Sequence, residues 1–201
     1  MRSSAATNHI EWQSRARALA QDRQGIEMAK AVINVAQAIT HTGVSGESFA
    51  YSMTELASAL GARAIGANIT RVPPGKAAFP FHHHYANEEH FFVLSGSGVL
   101  RHGANVHEVT QNDYIVNLPG GPESAHQLIN TGVEDLVYLA ISTSITTEVC
   151  GYPDSGKTGV RTAPYEQANS RFLIPDACKD SVGYWELEDG EQVRQILSGR
   201  R

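Results

Sequence analysis

Ten residues near the middle of the chain concentrate its metal-ligating side chains. The segment FHHHYANEEH, residues 81–90, holds four of the nine histidines together with two glutamates. Alternate side chains of an extended strand share a face, so His82 and His84 point to one side and His83 points away. Two imidazoles on one face make half of a metal site.

A carboxylate that can join these histidines opens the next apolar run. The segment EHFFVLSG alternates, so Glu89 shares a face with Phe91 and Val93 at the head of a core-facing stripe. A carboxylate in that position needs a partner, because burying it unpaired is costly. Glu88 is the rival for this role, but its parity fits worse.

The fourth candidate ligand is His126, which begins a predicted strand after the loop LPGGPESA. It lies near the other three if the strands close into a barrel. Three imidazoles and one carboxylate suit Fe(II), Mn(II), Ni(II) or Zn(II), and an octahedral ion would keep two positions open for substrate or dioxygen. We therefore predict one divalent transition metal ion, with the ligands His82, His84, Glu89 and His126.

The remaining histidines of the segment have the opposite parity. We predict that His83 and His90 are surface or subunit-contact residues, with a supporting role behind a metal ligand as the alternative. Four further polar residues lie on or beside predicted strands and could bond a substrate, although such residues more often satisfy a barrel rim. They are Asn68, Arg71, Tyr114 and Gln127.

Short β-branched and aromatic runs separated by turn residues predict an antiparallel sandwich or barrel. The turns SGSG (95–98) and HGAN (102–105) are predicted to be hairpins. The predicted strands are Val32–Val35, Ser48–Met53, Ala64–Val72, Glu89–Ser95, Gly98–His102, Val106–Thr110, Asp113–Leu118, His126–Asn130 and Leu136–Ser142.

Both ends of the chain have a different character. Residues 1–30 predict a short helical extension that ends near Gly25. We assign the barrel to residues 31–145. Residues 146–201 predict an irregular arm that lies over the barrel or a partner subunit, with a short strand near 184–187 and a helical turn near 193–197.

The two histidine-bearing segments resemble the two motifs of the cupin superfamily. PPGKAAFPFHHHYANEEHFFVLSGSG resembles G-x5-H-x-H-x(3,4)-E-x6-G, and NDYIVNLPGGPESAHQLIN resembles G-x5-P-x-G-x2-H-x3-N. His82, His84, Glu89 and Gly96 fit the first pattern, and Glu88 fits the distance to that glycine worse. His126 and Asn130 fit the second pattern.

Several loop spacings depart from these motifs. Six residues separate Gly75 from His82, and four separate Gly121 from His126. Asn112 replaces the first glycine of the second motif, and six residues separate it from Pro119. The resemblance implies an all-β, double-stranded β-helix (jelly-roll) barrel with the metal near one mouth. A weaker likeness extends to small bacterial cupins of largely unassigned substrate, and it implies a homodimer. The fold itself names no reaction.

A second pattern, GYPDSGKT (151–158), satisfies the phosphate-loop consensus G-x4-G-K-[ST]. Such a loop must open directly into a helix, whereas Gly159 and Pro164 follow here without an apolar period. Pro153 lacks an amide donor, and Asp154 would set a carboxylate beside the phosphates. We predict turns at Pro153 and Gly156 and no nucleotide.

The composition narrows the classes of partner. A net charge of −5 without a run of Lys or Arg gives no footprint for nucleic acid or an anionic membrane. No stretch is apolar enough for a membrane helix. Cys150 and Cys178 form no disulfide framework and indicate a reducing cytoplasm.

Together these features predict a metal-dependent enzyme acting on a small polar organic substrate. Oxygenase chemistry is favoured over isomerisation or decarboxylation, because a histidine-rich site with a carboxylate and open positions suits Fe(II). The alternative from another class is a binder or sensor without catalysis.

Overall fold

The structure is a computed structural model that describes residues 31–162 and 171–175. Three short 3-10 turns, Val35–Gln37, Ser58–Leu60 and Pro122–Ser124, are the helical elements of this part. Its strands are β1 (Thr40–Ser45), β2 (Phe49–Glu55), β3 (Ile65–Val72), β4 (His83–His84), β5 (Glu89–Ser95), β6 (Ser97–His102), β7 (Asn105–Thr110), β8 (Tyr114–Asn117), β9 (His126–Ile129), β10 (Leu136–Thr143), β11 (Glu148–Tyr152), β12 (Lys157–Arg161) and β13 (Arg171–Pro175).

The strands form two facing layers. One layer is a six-stranded sheet in the order β1-β2-β3-β10-β5-β8. The other combines β7-β6-β9 with β13-β12-β11-β4, and a bridge between His82 and His126 joins the two groups. All paired strands run antiparallel. This arrangement is the predicted all-β, double-stranded β-helix barrel.

The core fills the space between the layers with alternate residues of the inner strands. Strand alternation places every second side chain inward, and the buried residues follow that period. Burying this apolar surface supplies the main driving force for folding. The core cluster comprises Val72, Ala78, Phe91, Val93, Leu100, Val109, Ile115, Leu128, Leu136 and Tyr138.

The predicted strand at Val32–Val35 is wrong, because this segment is extended chain that ends in a 3-10 turn. The HGAN turn joins the paired strands β6 and β7 as predicted. The SGSG turn does not make a hairpin, since it passes from β5 in one layer to β6 in the other. Gly96 adopts a φ of 82° there, and a Cβ would overlap the carbonyl oxygen of Asp135.

The segment after residue 146 is more regular than the sequence predicts. Strands β11 and β12 form a hairpin, and β11 continues the sheet by pairing with β4. The segment that matches the phosphate-loop pattern therefore consists of the end of β11, a turn and the start of β12. Asp154 in this turn pairs with Arg101 on β6 at 2.8 Å. The predicted N-terminal helix and the elements predicted near 184–187 and 193–197 lie outside the described residues.

No helix in the described part of the chain is long and apolar enough to cross a membrane. The division into an extension, a barrel and an arm stays a prediction.

Gly151 is the point where β11 passes closest to the histidine segment. It stands opposite His83 in the β4–β11 pair. A Cβ at Gly151 would overlap Nε2 of His83. We expect Gly151→Ala to lower the free energy of unfolding by about 1–3 kcal/mol through overpacking, measured by urea denaturation. Ser155→Ala in the exposed turn of the same hairpin is the control, and equal midpoints for the two variants would contradict the prediction.

Candidate metal centre

The structure brings the four predicted ligand residues together between the layers. His82 and His84 come from the β4 segment, Glu89 begins β5, and His126 begins β9. Each offers one ligand atom, and these atoms all lie within 4.8 Å of one another. The Oε2 atom of Glu89 lies 2.9 Å from Nε2 of His126, 3.5 Å from Nε2 of His84 and 3.9 Å from Nε2 of His82.

The other ring nitrogen of two histidines faces a backbone carbonyl. His82 Nδ1 lies 2.8 Å from the oxygen of Pro80, and His126 Nδ1 lies 3.4 Å from the oxygen of Ser124. A carbonyl only accepts hydrogen bonds, so Nδ1 carries the proton in the ring of His82, whose Nε2 lies 3.9 Å from the nearest Glu89 oxygen. Nε2 then keeps the lone pair that a metal ion requires.

The third histidine is oriented by side chains instead. Nδ1 of His84 lies 3.3 Å from Sγ of Cys150 and 3.9 Å from Oε1 of Glu148. Its Nε2 is buried and has no hydrogen-bond partner among the described residues. A buried ring nitrogen without a hydrogen-bond partner, 3.5 Å from Oε2 of Glu89, is a polar atom for which a metal ion would account.

Glu148 fixes the loop that separates His84 from Glu89. Its carboxylate accepts hydrogen bonds from the backbone N–H groups of Tyr85, Ala86 and Asn87 at 3.1, 3.2 and 2.9 Å. The Asn87 side-chain amide also donates to it. Glu148 is only 1% exposed. A buried side chain therefore holds the loop that determines the distance between His84 and Glu89.

The charges of the cluster are strongly coupled. Burial, with the neighbouring His126, lowers the pKa of His82 to about 4. Burial opposes the charged form of His84, but the adjacent Cys150 and Glu89 outweigh it and raise its pKa to about 10. Burial opposes ionisation of Glu89 too, yet the facing imidazoles of His126 and His84 hold its pKa well below the usual range. An ionised carboxylate surrounded by imidazoles is a donor set that fits a divalent transition metal.

The structure places the other members of FHHHYANEEH away from this cluster. His83 is 3% exposed, and its Nδ1 lies 2.8 Å from the carbonyl oxygen of Gly120, so the predicted surface position is wrong. The Cβ-free backbone of Gly151 leaves room for its ring. His90 bonds Glu88 through Nε2 at 2.5 Å and lies half-buried on the outer side of β5.

The four weaker polar candidates have partners outside the cluster. Arg71 pairs with Asp135 at 3.2 Å on the outer surface. Tyr114 is 61% exposed, and its hydroxyl bonds Nδ1 of His90 at 2.6 Å. Asn68 accepts a hydrogen bond from Thr70, and Gln127 donates to the carbonyl oxygen of Phe79 and accepts from Arg101.

Sequence reasoning missed a histidine on the inner face next to the cluster. His102 stands opposite His126 in the β6–β9 register and shares its strand face with the core residue Leu100. Burial, then the nearby His126 and His107, lower the pKa of His102. Strand parity with Leu100 was the signal that could have found it.

His102 also lines a cleft that opens between β7 and β8, the edge strands of the two layers. The cleft has a volume of about 400 Å³. Apolar core side chains form its inner part, with histidines beside them. Its inner-face lining includes Leu100, His102, His107, Val109 and Ile115.

Cys150 gives a test of how the interior supports His84. We expect Cys150→Ala to weaken metal affinity about tenfold, because His84 loses the partner that orients its ring. Competition with a chromophoric chelator measures the affinity. Cys150→Ser keeps a polar hydrogen beside Nδ1 and should lose less, and an unchanged affinity in the alanine variant would show that Cys150 does not orient the ligand.

The central part of the chain matches a known protein family. Residues 68–142 match the family model described as Cupin domain. This segment contains all four residues of the cluster, but it ends before Glu148 and Cys150. No curated protein matches the chain.

Solved structures share the fold at low sequence identity. A provisionally assigned sugar phosphate isomerase from Acidithiobacillus ferrooxidans has a TM-score of 0.64 and 22% identity, covering 76% of this chain and 95% of its own. A sugar phosphate isomerase of the cupin superfamily from Silicibacter pomeroyi has a TM-score of 0.64 and 20% identity, covering 76% and 99%. A predicted oxalate decarboxylase from Thermotoga maritima has a TM-score of 0.49 and 23% identity, covering 57% and 99%. The two TM-scores of 0.64 show a shared fold.

Proposed function

This chain is a cupin-family protein, and on that premise we propose that it is a metal-dependent enzyme acting on a small polar organic substrate. The observation that carries the proposal is the convergence of three imidazole Nε2 atoms on one oxygen of Glu89. One Fe(II), Mn(II), Ni(II) or Zn(II) ion held by His82, His84, Glu89 and His126 would polarise a substrate oxygen as a Lewis acid.

The surrounding protein would keep this chemistry away from bulk water. His126 is 3% exposed, and its ring packs against Phe91 with centroids 5.8 Å apart. We propose that a small molecule reaches the inner face through the cleft between β7 and β8, whose lining includes His102 but none of the four cluster residues. A dry site strengthens every electrostatic interaction that it makes with a substrate.

We propose isomerisation of a hydroxy-carbonyl compound as the reaction. Such a reaction moves one proton from a carbon to its neighbour and a second proton between the oxygens of the same two carbons, and a positioned side chain has to carry the first of them. His102 is not one of the predicted ligands, and it lies on the inner face beside the cleft. We propose that a ring nitrogen of His102 accepts the proton from one carbon and returns it to the other. The names of the two structures with a TM-score of 0.64 agree with this reaction class.

Oxygenase chemistry is the second candidate. The observation in its favour is the ligand set itself, because three imidazoles and a carboxylate leave two coordination positions open on a six-coordinate Fe(II). This reaction would consume dioxygen, whereas isomerisation would not.

The two candidates separate in one experiment. Protein loaded in turn with each of the four metals is incubated with hydroxy-ketones, aldoses, hydroxy acids, diketones and catechols, in air and under argon. Product formation that is equal in both atmospheres supports isomerisation, and oxygen uptake in step with product supports the oxygenase. Binding without turnover across the whole panel would instead identify a binder or sensor.

His102→Gln provides the matched variant for the isomerase proposal. It should retain about one metal ion per chain and lose turnover by about a hundredfold or more, since proton transfer by a positioned group contributes at least that factor. Unchanged turnover in this variant would remove His102 from the mechanism.

We also propose a homodimer. Among the described residues, strand β1 lies at the edge of the large sheet and exposes Val44, which is 81% accessible. The backbone groups of an edge strand can pair with another chain. Sedimentation velocity at micromolar concentration tests this proposal, and a monomer would contradict it.

A further inference from the structure

Asn117, the last residue of β8, is buried without the hydrogen bonds that its burial requires. It is 2% exposed. Neither its amide nitrogen nor its amide oxygen has a hydrogen-bond partner among the described residues. An unpaired buried amide costs folding free energy, and in native proteins such a group calls for an explanation.

Asn130 is a second buried asparagine of the barrel, and its side chain does form hydrogen bonds within the protein. It is 0% exposed. Its amide nitrogen donates to the carbonyl oxygens of Val72 at 2.8 Å and Glu134 at 2.7 Å, and its oxygen accepts from the N–H of Gly132 at 2.9 Å. Asn117 is almost as deeply buried, but its side chain makes no such bonds.

The register places Asn117 beside the candidate metal centre. It stands directly opposite Glu89 in the β5–β8 pair, and it shares the inner face of β8 with the core residue Ile115. Opposite residues of an antiparallel pair have Cβ atoms about 4.5–5.5 Å apart. The amide of Asn117 therefore borders the space in which the carboxylate of Glu89 meets the imidazoles.

We infer that Asn117 binds a hydroxyl group of the substrate. This hydroxyl is on the carbon next to the substrate atoms that lie nearest the metal centre. An amide offers one donating and one accepting group, and a hydroxyl can accept from Nδ2 and donate to Oδ1 at once. A carboxylate or a phosphate only accepts and would leave Oδ1 unpaired. The ligand class is a small polyhydroxylated carbonyl or carboxyl compound.

This inference rests on the proposed function for the location of the ligand, but it needs no turnover to be tested. The probes are glycerate and lactate, which share a carboxylate and an α-hydroxyl. Glycerate alone carries a second hydroxyl on the next carbon. Their dissociation constants are measured by isothermal titration calorimetry on Mn(II)-loaded protein, with the manganese content determined on the same samples.

The native protein should bind glycerate about tenfold more tightly than lactate, and Asn117→Leu should bind the two equally. The leucine variant should keep its manganese and melt at or above the native temperature, because it removes a buried amide that no protein group satisfies. Asn130→Leu is the matched control and should melt about 5 °C or more below native.

Three results would overturn the inference: no preference for glycerate in the native protein, a preserved preference in Asn117→Leu, or a loss of stability like that of Asn130→Leu. If the leucine variant does not accumulate, the same binding measurements are made on Asn117→Ala, which adds no volume. Failure of both variants to fold counts against the inference. A manganese content near zero in native protein would instead refute the proposed metal function, and the comparison of melting temperatures would still report on Asn117.

Discussion

His126→Ala should reduce the metal content of purified protein from about one ion per chain to near zero and reduce turnover by about a hundredfold or more. His126 is the ring closest to the shared carboxylate oxygen, at 2.9 Å, and it is 3% exposed. Its removal takes away one of three imidazoles, and even residues that merely support a ligand change metal affinity by about 10–100-fold. Elemental analysis after loading with each candidate metal measures the effect.

The matched control for this prediction is His90→Ala. His90 belongs to the same histidine-rich segment, but it bonds Glu88 and Tyr114 on the outer side of β5, so its removal should leave the metal content unchanged. Circular dichroism and urea denaturation check that both variants are folded. Full metal occupancy in His126→Ala would exclude this residue as a ligand.

Glu148→Ala should lower the free energy of unfolding by about 2–6 kcal/mol, because it leaves two backbone donors without an acceptor at a cost of about 1–3 kcal/mol each. The carboxylate accepts from three consecutive backbone N–H groups and from the Asn87 side chain. Alanine leaves the N–H groups of Ala86 and Asn87 without an acceptor. The N–H of Tyr85 keeps the carbonyl oxygen of Val149, and the Asn87 side chain keeps that of Ile145. The midpoint of urea denaturation, at an unchanged m-value, measures the loss.

Glu148→Gln separates the charge from the shape of this side chain. It keeps one accepting oxygen but turns an NH2 group toward other donors, so it should fall between native protein and the alanine variant. Glu47→Gln on the exposed surface should have no effect. Metal affinity should fall with stability, because the same loop spaces His84 from Glu89, and a stable alanine variant would refute the role of Glu148.

The hydrophobic alternation was sufficient to predict most strands of the barrel and the residues that gather at its centre. The period of two separated His84 from His83, because a strand turns successive side chains to opposite faces. The same period, together with the distance to Gly96 in the motif, separated Glu89 from Glu88. Alternation cannot say which strands are neighbours. For that reason the SGSG turn was expected to make a hairpin, although Gly96 carries the chain from one layer to the other.

Other features depend on contacts between distant segments. Strand β11 contains Gly151 and has little apolar period, so its pairing with β4 follows from the fit of His83 against that glycine. The support of His84 by Cys150 and Glu148 joins residues more than sixty positions apart. The missing partners of Asn117 become visible only when every neighbouring atom has been placed.

The central position of β10 in the large sheet has a consequence for the order of events in folding. The two neighbours of β5 are β10 and β8, and both follow it in the chain. The cysteine beside His84 comes later still. Such long-range pairings form slowly compared with local ones. During synthesis the histidine-rich segment leaves the ribosome well before His126, and β10, which pairs with the strand of Glu89, follows later still. We therefore expect metal to be acquired after the chain has folded, by a barrel that is already closed.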